Sequence, residues 1–573
     1  MTQDHRARTV PGVLADTARR HPDTEALIDG ETRLTYRELA LRVRRATAAV
    51  MASGVLPGDR VAVWAPNGHR WVVAALGALG AGAVLVPVNT RYKGEEAGWL
   101  LARSGARTLF VDNGFLGHDY LGYLGGLSGG ADCGTEGGTP PPVTASPDGA
   151  PGPAGQDGAP DAAPTVGAPA TAVPGQSPLP ALPALVDVVL IGGGPAPGAR
   201  SWEEFLAAGA SVSDAAAGAR AAGVGEEDVC DMFFTSGTTG RPKGALTAHG
   251  QNIRAFDAWS RRAGLRHGDR YLIVNPLFHT FGYKAGVLAC LGRAATMVLQ
   301  PVFDVRETLR LVSEEKVTVL PGPPALYTSI LGHPDRHGYD TSSLRLAVTG
   351  ASVVPVALVE RMREELRLTV LTAYGLTESC GLVSMCTADD DARTVAETSG
   401  RAVEGVDLCV VDAAGNRLGP GEDGEIVVGG YNVMRGYFED PAATAGAIDT
   451  LGRLRTGDVG RIDEHGNLTV TGRLKDMFLV GGFNVYPAEI EQLLARHGQI
   501  SDAAVVGIPD PRLGEVGRAY VTARPGERPD PAEVIAYCRE RLANFKVPRE
   551  VVVLDRLPRN ALGKVVKTAL DRG

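Results

Sequence analysis

Along the first hundred residues the apolar positions switch between two periods. Those from Tyr36 to Val50 recur with the spacing of one helix face, whereas short runs such as Arg60 to Trp64 have the composition of strands. Alternation of this kind predicts an α/β domain. The stretch Trp71 to Val88 carries no charge over nearly the length of a membrane span, but Gly77, Gly80, Gly82 and Pro87 divide it. It therefore predicts a buried helix followed by a strand. Regular α/β patterning resumes at Asp231 and continues to about Leu474, and residues 475–573 predict a smaller α+β unit. One helix in that unit is well marked. Pro487 suits its first turn, Ile490, Leu493 and Leu494 share a face, and Gly498 follows its end. Glu489 and Glu491 near its start and Arg496 near its end complement the helix dipole.

The periodicity breaks once. Between Leu124 and Ala199 there is no aromatic residue, lysine or arginine, and Gly, Pro and Ala dominate. Such a composition buries too little surface to offset chain entropy, so Leu124 to about Pro183 is expected to be a disordered insertion in a large domain of residues 1–474. Just beyond it, Val188 to Gly198 imitates a dinucleotide-binding fingerprint, but Pro197 stands where the pattern needs its last glycine. A strand followed by a loop is the expectation there.

Composition narrows the function classes. The 573 residues exceed one compact core, and 44% hydrophobic with 21% charged residues is the profile of a globular protein. A net charge of -9 gives no electrostatic footprint for nucleic acid, so an anionic substrate has to be met by local basic groups. The seven cysteines show no metal-ligand pairing and read as buried thiols of a reducing compartment. The amino-terminal MTQDHRARTV lacks the apolar run of a signal peptide, so a cytoplasmic protein is expected, with its oligomeric state open.

Candidate chemistry begins with FTSGTTGRPKG, Phe234 to Gly244. Thr235, Ser236, Thr238 and Thr239 supply hydroxyls, Gly237 and Gly240 leave the backbone amides accessible, and Lys243 adds a positive charge. This is a loop for surrounding a polyphosphate. It is not a Walker A loop, because Gly244 follows the lysine where that pattern needs a hydroxyl for magnesium. Thr372 to Ser379, TAYGLTES, then offers the Thr377 hydroxyl and the Glu378 carboxylate, a hard oxygen ligand for magnesium. In RTGD, the two oxygens of Asp458 can accept both hydroxyls of a ribose. Any one of these strings could be an ordinary turn or helix cap. Their occurrence together, in this order, argues otherwise.

These segments resemble the acyl-adenylate-forming superfamily of acyl-CoA synthetases, peptide-synthetase adenylation domains and firefly luciferases. The resemblance implies ATP and coenzyme A as co-substrates, magnesium as cofactor, a large multi-sheet domain and a small mobile one. It carries the phosphate loop onto Thr235, Ser236, Gly237, Thr238, Thr239, Gly240 and Lys243, and the nucleotide pocket onto Gly350, Ala351, Tyr374 and Gly375. Thr377 contacts the α-phosphate, Glu378 the metal, Asp458 the ribose, and Arg473 both ribose and phosphate. Lys475 falls at the hinge between domains, Gly481 and Gly482 border the pantetheine arm of CoA, and Lys564 bridges the acid's carboxylate and the α-phosphate. Lys564, Thr377, Glu378 and Lys243 are thus the implied catalytic set.

For the acid, PLFHTFGYKAG (Pro276 to Gly286) matches the family's acid-binding segment. His279 stands where amino-acid-activating domains carry an aspartate, and His279, Phe281, Gly282, Tyr283 and Lys284 form the candidate pocket. Lys284 interrupts an apolar run and needs a partner. That partner is either an ion pair within the fold or a polar group on the acid, such as a ketone. The segments FGYKAGVLACL, TVLPGPPALY, GGFNVYPAEIEQLLAR and VIAYCRERLANFKVPR resemble the actinobacterial CoA ligases that activate the methylhexahydroindanone-propanoate left by steroid degradation. The expected activity is ligation of a fatty acid or such a ring propanoate to CoA through an acyl-adenylate. Delivery of the adenylate to a carrier-protein thiol, a luciferase-type oxygenation and noncatalytic nucleotide binding are the alternatives.

Overall fold

The computed structural model describes residues 8–126, 179–235, 242–350, 354–480, 483–542, 544–559 and 565–570; at 475, 483 and 484 it describes the backbone alone. Its widest sheet is built from Val- and Ala-rich runs at Arg60–Trp64 (β1), Val84–Pro87 (β2), Thr108–Asn113 (β3) and Asp187–Gly193 (β4), which pair in parallel, with Arg200–Ser201 (β5) at one edge. Beyond β2 it continues through Val229–Thr235 (β6), Lys243–Ala248 (β7) and Gly436–Tyr437 (β8), in the order β8-β7-β6-β2-β1-β3-β4-β5. The parallel strands are covered on both faces, which is why their sequences are continuously apolar. β6 still runs parallel to its neighbour β2, but β6 and β7 form an antiparallel hairpin.

Glu25–Asp29, Thr32–Thr35, Arg270–Ile273 and Thr296–Leu299 make a second sheet, and Val319 bridges Tyr271 to Leu346, joining it to the parallel pair Leu346–Thr349 and Thr369–Tyr374. Four antiparallel strands from Val406 to Arg473 complete the large body. The chain after them forms a five-stranded sheet with its own apolar clusters, around Phe478, Ile490 and Val521 and around Ile508 and Tyr520. The fold is therefore the expected mixed α/β one, a large multi-sheet body with a small α+β unit.

The uncharged stretch after Trp71 is core. His69–Gly80 (α1) buries every residue from Trp71 onward, and β2 follows it as expected. A Cβ added at Gly80 would lie 2.4 Å from the Thr47 hydroxyl, so glycine is what lets α1 pack onto the helix Tyr36–Ala52. Among the described residues no helix is long and apolar enough to cross a membrane. The imitation fingerprint forms strand β4 and a loop, and Pro487–Leu494 is the expected helix, with Ile490 and Leu494 buried. Six cysteines among the described residues are free and buried.

The expectation that all of 124–183 stands apart from the fold is corrected at both ends. Leu124 closes the helix Tyr120–Gly125 at 1% exposure, and Leu182 is 3% exposed in the same apolar cluster. Apolar side chains on either side of the Gly/Pro tract meet in one core, while 127–178 lies outside the described residues.

At the start of helix His249–Ala263 (α2), the buried His249 accepts a hydrogen bond at Nδ1 from the backbone of Val10, 3.3 Å away, and ties down the amino-terminal helix. Its Nε2 finds no partner among the described residues, and burial pushes its pKa down to about 4 from the ordinary 6.5. Between those values the unfolded chain binds more protons than the folded one, so this group's penalty is absent above 6.5 and grows as pH falls to about 4. Urea titrations from pH 4 to 7 are expected to show stability rising with pH, with a shallower rise in His249→Gln. Leu182→Ala is expected to cost about 2–4 kcal/mol in the same assay, the usual loss for a buried leucine.

Candidate active site

The β6–β7 hairpin sets Thr235 directly opposite Lys243 and brings both ends of the phosphate loop to one point. Ser236, Gly237, Thr238, Thr239 and Gly240 lie outside the described residues. The Thr235 hydroxyl donates to Glu378 Oε1 at 3.1 Å, and the hydroxyl of Tyr437, carried on β8, donates to the same oxygen at 2.9 Å. Lys243 Nζ sits 5.3 Å from the centre of the Tyr437 ring, within cation–π range. Burial and the Glu378 carboxylate drive the Tyr437 phenol pKa up, which keeps it a donor. Glu378, far in sequence from Thr235 and Lys243, is thus brought beside them, and Tyr437 is a member of the group that sequence reasoning missed. Its signal was small: one aromatic residue after a glycine, in a strand of two residues.

Glu378 follows the strand Thr369–Tyr374 in a short turn that ends at Cys380, a buried residue with a positive φ of 57°. Among the described residues no three His, Cys, Asp or Glu side chains form a metal-binding group. A single carboxylate still fits magnesium, which keeps several waters and takes its other ligands from phosphates. Both hydroxyl contacts fall on Oε1, and among the described residues no hydrogen bond falls on Oε2 of Glu378.

A second cluster lies beside it. Asp458 and Arg473 face each other across adjacent strands, with Arg473 Nε 2.7 Å from Asp458 Oδ1. The Tyr374 hydroxyl donates to Asp458 Oδ2, also at 2.7 Å. Burial, then the neighbouring carboxylate, raise the Tyr374 phenol well above its ordinary pKa. Among the described residues the buried Asp458 thus pairs with Arg473 at Oδ1 and accepts from Tyr374 at Oδ2.

Both clusters line one cleft of about 4970 Å³ between the large body and the small unit, together with Gly350, Gly375 and Thr377. The Arg496–Glu397 ion pair at 3.0 Å and the Gln492 amide donating to the Val470 carbonyl at 3.4 Å cross from the small unit to the large body. Lys475 lies in the turn Leu474–Asp476 between them. Ala351, Gly481, Gly482 and Lys564 lie outside the described residues, although Arg559 and Val565, which pair on either side of Lys564, line the cleft.

At the acid segment the expectations divide. His279 and Phe281 line the cleft. Nδ1 of His279 accepts from the Phe281 backbone at 3.2 Å, which places the proton on Nε2, and burial lowers its pKa to about 4. Gly282, Tyr283 and Lys284 do not reach the cleft, which corrects their assignment to the pocket. A Cβ at Gly282 would lie 2.1 Å from the Pro276 carbonyl oxygen, so this glycine serves close backbone packing. Tyr283 is fully buried against Trp71 and Phe233. Lys284 is fully buried, with Nζ 3.0 Å from Asp231 Oδ1, 2.8 Å from Asn252 Oδ1 and 2.9 Å from Thr247 Oγ1. The ion-pair alternative is the one the fold adopts. Asp231, a lone charge in the apolar strand VCDMFF, was the signal for the partner.

Residues 14–438 match the model of the AMP-binding enzyme family, and residues 489–564 match that of the AMP-binding enzyme C-terminal domain. The chain is 49% identical over 564 residues to a methyl-dioxo-octahydro-indenyl propanoyl:CoA ligase of Mycobacterium tuberculosis, covering 98% of both chains. It is 47% identical, with the same coverage, to the ligase of the same description from Rhodococcus jostii. Among solved structures it resembles ATP-bound MatB from Rhodopseudomonas palustris, at 26% identity and a TM-score of 0.79 over 98% of this chain and 97% of that one. On these matches the chain belongs to the AMP-binding acyl-CoA ligase family as an AMP-forming acid–thiol ligase.

Proposed function

We propose that the acid is a fused-ring propanoate of the steroid-derived, diketone-bearing class and that the acceptor is the thiol of coenzyme A. The reading is carried by full-length identity of 49% and 47% to two ligases described for that acid. The character of the cleft supports it. Its acid end is walled by Val274, Phe278, Phe281, Pro323 and Leu326, and Val302 and Phe303 remain 43% and 38% exposed there, apolar surface suited to a ring system.

In the first half-reaction a carboxylate oxygen attacks the α-phosphorus of ATP, forming the acyl–phosphate bond as the bond to pyrophosphate breaks. Asp458 accepts the ribose hydroxyls and Arg473 steadies that carboxylate, while Tyr374 packs at the adenine. The phosphate loop from Thr235 to Lys243 receives the β- and γ-phosphates, and Thr377 donates to the α-phosphate. Glu378 would hold the magnesium ion, whose charge offsets that of the departing pyrophosphate. Lys564 bridges carboxylate and α-phosphate, neutralising the repulsion between the two anions. His279, uncharged above about pH 4, adds no competing cation at the acid. In the second half-reaction the CoA sulfur attacks the acyl carbon and AMP leaves, with Gly481 and Gly482 beside the pantetheine arm and the small unit turned about Lys475.

Mass-spectrometric measurement of thioester formation with ATP, magnesium and CoA is expected to favour the ring propanoate over straight-chain and aryl acids. Preference for straight chains would replace the ring acid by a fatty acid, and adenylate without thioester would replace CoA by a carrier-protein thiol. Lys564→Ala is expected to slow adenylate formation about a hundredfold, the scale for losing one preorganised transition-state donor, and to spare thioester formation from supplied acyl-adenylate. Asp458→Asn should raise the KM for ATP about tenfold, in keeping with the loss of one charge-assisted hydrogen bond, while leaving the KM for the acid in place.

A further inference from the structure

The buried partners of Lys284 come from three separate elements. Asp231 lies in the middle of β6, Thr247 near the end of β7 and Asn252 in the first turn of α2. Asp231 and Thr247 are direct partners across the hairpin, where Thr247 Oγ1 donates to Asp231 Oδ1 at 2.6 Å, and Asn252 Nδ2 donates to Asp231 Oδ2 at 2.7 Å. Lys284 Nζ donates to Thr247 Oγ1 and Asn252 Oδ1 and forms an ion pair with Asp231 Oδ1, so both carboxylate oxygens are engaged. Phe233, on the same strand, sets its ring 5.2 Å from Nζ. All four polar residues are fully buried.

The position of this network matters more than its strength. A buried ion pair is weak support for stability, because desolvation consumes most of the attraction, but its geometry is demanding. Four residues along each strand from the Asp231–Thr247 pair lie Thr235 and Lys243, the two ends of the phosphate loop. On the other side, Lys284 is the second residue of a π-helical turn, Tyr283–Leu288, which directly continues the short helix Thr280–Gly282. Phe281 and His279, three and five residues before Lys284, line the cleft. The wide π turn is a feature that clusters at functional segments, and here Lys284 is turned into the hairpin while Phe281 stays at the cleft. One buried charge pair thus ties the hairpin that holds the phosphate loop to the segment that carries the acid pocket.

We propose that Lys284 and Asp231 are positioning residues for adenylate formation: through Thr247 and Asn252 they fix the acid-binding segment against the phosphate-loop hairpin, and so set the approach of the carboxylate to the α-phosphorus. The inference rests on the placement of the acid beside His279 and Phe281. Nucleophilic attack needs the reacting atoms near 3–3.5 Å, and a displacement of about 1 Å costs on the order of a hundredfold.

The test is the double variant Lys284→Met with Asp231→Asn, which removes both charges together and leaves no unpaired ion in the core. Its thermal midpoint is expected to stay within a few degrees of the native protein. With the acid that the native enzyme activates best, kcat for pyrophosphate release should fall about tenfold to a hundredfold. The KM for ATP should stay within about twofold, and thioester formation from supplied acyl-adenylate should be unchanged. Thr247→Val, which keeps the ion pair and the packing volume, should give a smaller loss in the same half-reaction and provides the measurement if the double variant does not fold. A folded double variant with native kcat for adenylation would overturn the proposal, as would equal losses in both half-reactions or a Thr247→Val protein indistinguishable from native. Failure of the ring acid in the native panel would instead strike the substrate reading and leave this comparison intact.

Discussion

Two anions have to be brought into contact before this chemistry can start, and the protein therefore arranges its donors in advance. Left to themselves, Lys243 and Glu378 are opposite charges near one point, yet Glu378 is held by the hydroxyls of Thr235 and Tyr437 while the lysine rests over the Tyr437 ring. Hydroxyl donors and an aromatic face keep cation and carboxylate near each other without an ion pair between them, so neither charge is spent on the other. Asp458 is fixed differently, by an ion pair to Arg473 at one oxygen and the Tyr374 hydroxyl at the other.

What sets these groups in place is the edge of the wide sheet. Its parallel interior is apolar on both faces and offers no chemistry, but at β6 the chain turns back as a hairpin, and β8 joins the hairpin's outer strand. Thr235 and Lys243 end the two paired strands of that hairpin, and Tyr437 reaches Lys243 and Glu378 from β8. The parallel core gives rigidity, and the antiparallel edge gives a loop whose two ends are fixed by pairing.

The motifs were legible in the sequence because each relies on local composition: glycines and hydroxyls around a lysine, a hydroxyl beside a carboxylate, an aspartate after threonine and glycine. The buried helix α1 was legible because glycines punctuate an uncharged run. What periodicity could not give was direction. Tyr283 and Lys284 belong to the matching acid segment, but the π turn and the carbonyl contact at Gly282 carry them into the core, a rotation no residue pattern encodes. Tyr437 was hidden because its role depends on a sheet pairing across nearly two hundred residues, with Ala245. Leu124 and Leu182 were assigned to the insertion because composition averages over a window, whereas burial is decided by which two side chains meet.

The buried cysteines carry a consequence for an enzyme of this kind. An acyl-adenylate is an electrophile made to react with sulfur, and Cys380 lies only two residues along the chain from Glu378. Its side chain is fully enclosed, as are those of Cys230, Cys290 and Cys538. Among the described residues no cysteine sulfur faces the cleft in which the reactive intermediate is made. Among the described residues, therefore, no thiol of the protein stands in the way of the incoming one.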